Sequence, residues 1–140
     1  MLLLEQLRLR FPHVIFTVAG LGVATAFPEW IDDRRVEKYT DDLELATCKI
    51  YAESRLVIGV HGSNMLLPSA HAGMTLDLIP DDRWGNLAQD IIYQDIDVRM
   101  TVHQYLHLPI STDISLLVTI ASNQLKKYDE QDQSCYTELY

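Results

Sequence analysis

Leu56-Val57-Ile58-Gly59-Val60, followed at once by His61-Gly62-Ser63-Asn64, is the stretch on which the fold turns. Five apolar residues without alternation describe a strand covered on both faces, the kind that parallel sheets contain. The polar tetrapeptide ends that strand abruptly and places a loop at its carboxyl end. Upstream, Thr40 and Asp41 offer side-chain acceptors to a helix start, and Leu43, Ala46, Ile50 and Ala52 mark an apolar stripe that runs to about Ser54. Downstream, a short helix reaches Ala72, starting or bending at Pro68 and closed by Gly73. Residues 75–79 read as the next strand, ended by Pro80.

Farther out, residues 2–9 carry helical spacing, 13–18 are β-rich, 35–39 read as a short strand and 87–93 as a helical turn. Residues 98–105 alternate like a strand. Residues 111–127 form the longest helical pattern, with Ile114, Leu117, Val118, Ala121 and Leu125 on one stripe and Lys126 and Lys127 at its negative end. Strands alternating with helices predict an α/β fold, a doubly wound, mostly parallel sheet flanked by helices. Residues 1–128 form a single domain in this reading, and 129–140 a polar C-terminal tail.

The 140 residues, 48% apolar and 22% charged, suffice for one core without a disulfide or metal staple. Twenty acidic against eleven basic residues leave a net charge of −9, which argues against a nucleic-acid surface built on Lys and Arg. A small anion remains compatible, because a few local donors outweigh a distant surface charge. Cys48 and Cys135 stand far apart, outside any zinc-finger spacing, and read as reduced thiols. The apolar start, Met1 to Leu4, runs straight into Glu5, Arg8 and Arg10, so neither a signal peptide nor a membrane span is read here, and a cytoplasmic location is expected. A first helix without a capping residue reads as a piece of something longer.

In open α/β sheets ligands bind outside the carboxyl ends of the strands. At that edge Gly62 lets the backbone approach a ligand, Ser63 and Asn64 bring short polar groups, and a helix start favours an anion such as a diphosphate. His61 is placed to donate to a phosphate or act as a base. Equally, Gly62 can make a tight turn, Ser63 cap the helix and His61 hydrogen-bond behind the site. The loop from Pro80 to Asn86 shares the edge: Arg83 can pair with a phosphate, Trp84 stack on a flat ring, and Asp77 or Asp81 accept from ribose hydroxyls. The competing reading is an ordinary turn, with Arg83 bridging Asp81 or Asp82 and Trp84 covering the core.

Other patterns carry less. Gly20 and Gly22 follow a strand as in a dinucleotide fingerprint, but Thr25 replaces the third small residue and Pro28 leaves no room for the helix. No Gly-x-Ser-x-Gly elbow supports a hydrolase using His61 and an Asp. His103 and His107 are four apart but in a strand-like stretch, where that spacing makes no metal face, so they read as core or surface histidines. His13 and His71 show no partner.

Taken together, Arg35-Arg-Val-Glu-Lys-Tyr39, the helix through Cys48, the run from Leu56 to Pro68 and Thr75-Leu-Asp-Leu-Ile-Pro80 resemble the donor-binding, C-terminal half of a GT-B glycosyltransferase. The likeness is to the family of plant xylosyltransferases and the EGF-domain N-acetylglucosaminyltransferase. It spans Arg35 to Pro80, and implies a Rossmann-like half of a GT-B fold binding a nucleotide-diphosphate sugar. It carries a diphosphate role to His61, Gly62, Ser63 and Asn64; Asp77 stands where such transferases more often show Glu. Arg83, Trp84 and Asn86 rest on the edge geometry alone. The resemblance implies no bound metal, and no other cofactor is expected. The acceptor and base lie on an N-terminal half for which this length leaves no space, so no catalytic residue is assigned. The expected partners are that missing half or a second copy meeting an apolar face, such as one on the first helix. The alternative is a stand-alone binding or assembly domain with the same fold and no catalysis.

Overall fold

The computed structural model describes residues 1–22, 24–85 and 104–137, with side chains as far as 127. Helix α1 (Leu2–Arg10) leads into two strands, β1 (Phe16–Leu21) and β2 (Ile31–Val36), which pair in parallel with Phe16 opposite Ile31. Then come α2 (Asp41–Glu53), β3 (Val57–Val60), a 3-10 turn (Ser63–Met65), α3 (Leu66–His71), β4 (Thr75–Ile79) and a second 3-10 turn (Asp81–Arg83). Strand β5 (Tyr105–Pro109) and helix α4 (Ile114–Thr137) complete it. The fold is therefore mixed α/β, with small parallel sheets flanked by helices: one of order β1-β2, the other β3-β4-β5.

The three-stranded sheet has two unlike faces, because side chains alternate along each strand. On one face Leu76 is wholly enclosed and packs with Leu7 of α1 and Leu117, Val118 and Ala121 of α4. Ile58, Leu78, Leu106 and Leu108 complete that oily layer. Arg10 donates to Ser122 Oγ at 3.1 Å, tying α1 to α4. On the opposite face the register lines up Gly59, Asp77 and His107 in one row. Gly59 leaves room there for the buried thioether of Met65, which a Cβ would force to move.

Several boundaries follow local chemistry. Thr40 caps α2 by accepting from Leu43 N, and Pro68 falls in the first turn of α3, where its missing N–H leaves no hydrogen bond unmade. Asp113 caps α4: its Oδ1 accepts from Ser115 N at 2.8 Å, and bonding to Ser115 holds its carboxyl below the ordinary aspartate range. Folding thus favours the ionised form, so this contribution is present above the ordinary range and is lost as pH falls through the depressed value. Asp113→Ala is expected to lower the thermal midpoint by about 3 °C at neutral pH. The gap from the parent chain should close on acidification, as a melting series would show.

Other expectations are corrected. The most enclosed strand is β4, buried except at Leu78, whereas β3 among the described residues pairs with β4 alone and leaves Val60 exposed. The buried side of α2 is Thr47, not the stripe of Leu43, Ala46 and Ala52, all three exposed. The strand expected over 35–39 lies at Ile31–Val36. Gly20 falls inside β1. The polar stretch 129–137 continues α4 instead of forming a tail. The helical turn expected at 87–93, and all of the 98–105 strand but its last two residues, lie outside the described residues.

The return from β1 to β2, between Leu21 and Ile31, is pinned from the second strand. Arg35 pairs with Asp33 at 2.8 Å, donates to the carbonyl of Thr25 and stacks 4.3 Å over the Phe27 ring. Its side-chain hydrogen bond lowers the Asp33 carboxyl to about 2. Leu7 of α1 is turned onto α4, although Leu2 and Leu9 remain exposed.

Candidate functional site

Three strands in parallel bring three connections to one edge, the carboxyl end of the sheet. His61 N bonds to Leu78 O and Ile110 N to Ile79 O, both at 2.9 Å, so the loops leaving β3 and β5 are stitched to the central strand. The β3 loop turns at Gly62 (φ 159°, ψ −179°) and closes with Met65 N donating to Gly62 O at 2.9 Å. Asn64 Nδ2 reaches back to Val60 O at 3.4 Å.

The β4 connection meets this loop. Arg83 Nη1 donates to the carbonyl of His61 at 2.6 Å. A Cβ on Gly62 would lie 2.9 Å from that Nη1 and 2.8 Å from Asn64 Oδ1, so the bare backbone is what lets the guanidinium settle beside the loop. Of the two sequence readings of Arg83, the bridge to Asp81 or Asp82 is not the contact formed. Ser63, Asn64 and Arg83 are exposed, as is Trp84 at 39%. Asn86 lies outside the described residues. The helix start expected to favour an anion is only a three-residue 3-10 turn leading into a six-residue helix, without a side-chain cap. Positive charge at this edge therefore comes from side chains more than from a helix dipole.

Asp77 is not at the edge. It is the third residue of the central strand and 0% exposed, so it is closed off from ribose hydroxyls by the strand position itself. Its Oδ2 accepts from His61 Nδ1 at 2.6 Å and from Tyr105 Oη at 3.2 Å, and His107 Nε2 stands 3.8 Å away. Its Oδ1 is buried with no hydrogen-bond partner among the described residues. A carboxylate only accepts, so the proton of the 2.6 Å contact sits on Nδ1. The ring is thereby fixed, and Nε2 is its nitrogen on the side away from Asp77. His61 itself is 11% exposed.

Tyr105 was not singled out in the sequence, and His107, read there as a core or surface histidine, was not connected with Asp77. Their rings lie 4.6 Å apart on one face of β5, and their bearing on Asp77 follows from register. The available signal was a Tyr-x-His pair inside an otherwise apolar strand, which alternation puts on one face.

Among the described residues no group of three or more His, Cys, Asp or Glu side chains is arranged to hold a metal ion, and no helix is long and apolar enough to cross a membrane. Cys48 is a partly buried free thiol. An open cleft of about 500 Å³ lies beside β1 and β2, lined by Arg8, His13, Trp30 and Asp32 among others, but its cation is already engaged 4.5 Å over the Trp30 ring. Comparison with protein-family models, curated proteins and solved structures finds no match to this chain.

Proposed function

We propose that this chain is the donor-binding half of a GT-B glycosyltransferase, a doubly wound, Rossmann-like unit that holds a nucleotide-diphosphate sugar at the His61 loop. The observation that carries the reading is the Arg83 guanidinium drawn onto the loop by the His61 carbonyl, beside Gly62. An arginine fork and an imidazole at one glycine turn suit the paired phosphates of a nucleotide sugar. Ser63 and Asn64 add exposed polar groups to the same turn, and Trp84 offers a flat face for a base or sugar. Asp77 serves by orienting His61. In such an enzyme the acceptor and its base come from the other half, so the chain is assigned binding and no bond-breaking step.

The test is a thermal-shift panel of UDP, GDP, ADP, CDP and their monophosphates, with and without EDTA. A ligand at about 100 times its dissociation constant adds roughly 2.7 kcal/mol of stability. One nucleoside diphosphate should raise the midpoint by several degrees, unchanged by chelation. A strict magnesium requirement would contradict the GT-B reading, and silence across the panel would overturn it.

A further inference from the structure

Two helix ends leave leucine in solvent between charges of opposite sign. The last turn of α1 reads Arg8-Leu9-Arg10, all three exposed, and Leu9, at 84%, is the most exposed large apolar side chain among the described residues. The opening turns of α2 read Asp41-Asp42-Leu43-Glu44-Leu45-Ala46, exposed throughout, with Leu45 at 61%. Neither set of charges is neutralised within the chain. Arg8 lies over the Trp30 ring and Arg10 donates to the Ser122 hydroxyl, contacts that leave both guanidiniums without a carboxylate among the described residues. Asp41, Asp42 and Glu44 likewise meet no cation there. The two segments do not cover each other, since α1 packs on α4 and α2 beside α3.

Apolar side chains held in solvent and rimmed by charge suit a contact surface, and the charges select what fits it. Setting α1 against α1 of a second copy opposes arginine to arginine, and α2 against α2 opposes carboxylate to carboxylate. Setting α1 of one copy against α2 of another brings leucine to leucine inside a rim of opposite charges. We propose that a second copy of this chain is the partner of both surfaces: the Arg8–Arg10 turn of one copy docks on the Asp41–Ala46 turns of the other. Where the exchange is reciprocal it closes a two-fold dimer, and otherwise it continues from copy to copy. The net charge of −9 opposes approach from afar, but at physiological ionic strength that repulsion is screened beyond about 8 Å, and the docked charges lie inside that distance. The His61 loop takes no part, so this inference stands apart from the nucleotide-sugar reading.

The experiment is sedimentation equilibrium of the parent chain from micromolar to millimolar concentration, beside Leu9→Glu and Leu45→Lys. Both substitutions fall on side chains already in solvent, so circular dichroism should match the parent. The parent's average mass should rise with concentration. Each variant alone should associate roughly tenfold more weakly, because Glu at 9 faces the carboxylates of α2 and Lys at 45 faces the arginines of α1. An equal mixture of the two should associate more strongly than either, since the unchanged α1 of the Leu45→Lys copy meets the unchanged α2 of the Leu9→Glu copy. A parent that stays monomeric at millimolar concentration overturns the proposal, and so does association that either variant leaves intact. A mixture no more associated than its components marks a like-on-like contact and overturns it as well.

Discussion

His61→Ala is expected to abolish nucleoside-diphosphate binding and also to destabilise the fold by about 2–4 kcal/mol. The loss of binding follows from the proposed phosphate contact. The loss of stability follows from the 2.6 Å bond to Asp77: with the ring gone, Tyr105 is the one close donor left to a wholly enclosed carboxylate among the described residues. The two losses separate in the double variant His61→Ala/Asp77→Asn, where the buried charge is removed as well. Urea unfolding should then recover much of the stability while ligand binding stays absent. If the double variant is no more stable than His61→Ala, the buried charge is not what the imidazole compensates. Arg83→Ala provides the contrast, because this side chain is exposed and its hydrogen bond among the described residues is to the His61 carbonyl. It should cost about 100-fold in affinity with little change in stability.

Leu76→Ala is expected to cost about 3–5 kcal/mol, enough to threaten folding at 37 °C in a domain of ordinary stability. Leu76 is 0% exposed and lies where α1, α4 and the sheet meet, against Leu7, Leu117, Val118 and Ala121. Three separate elements would each have to move to refill the space, so little relaxation is available. Leu78, on the same face but only partly buried, should cost less when truncated. The denaturant midpoint should fall with an unchanged slope, and a loss for Leu76→Ala no larger than for Leu78→Ala would move the centre of the core elsewhere.

Local signals in the sequence were read accurately where the physics is local. The strand at Thr75–Ile79 is bounded by Gly73 and Pro80, and the helix beginning after Thr40 by a side-chain cap, and both appear where those residues put them. The loop at His61 is likewise where an apolar run meets His61-Gly62-Ser63-Asn64. What depends on pairing was not legible. That Asp77 faces two histidines requires knowing that β4 lies between β3 and β5 and in which register, and neither is encoded within a single strand. The same holds for α2, whose inward side is chosen by what it packs against: Thr47 is buried with its hydroxyl bonded to Leu43 O at 2.7 Å, while more apolar neighbours stay outside. Polar residues 129–137 read as a tail because composition alone does not reveal a helix propagating from a well-capped start.

The split of the cradle between a central strand and a surface turn has a kinetic meaning. Asp77, which aims the imidazole, is rooted in a strand hydrogen-bonded on both sides, the part of a sheet that opens last and exchanges its amide protons most slowly. Arg83 ends a three-residue turn on the surface, and exposed side chains change rotamer in picoseconds to nanoseconds. An anion bound as proposed would therefore meet one ring whose direction is already set and one guanidinium that swings to meet it. The conformational entropy lost on capture would fall mainly on a single guanidinium, with the strand that aims the ring left as it was.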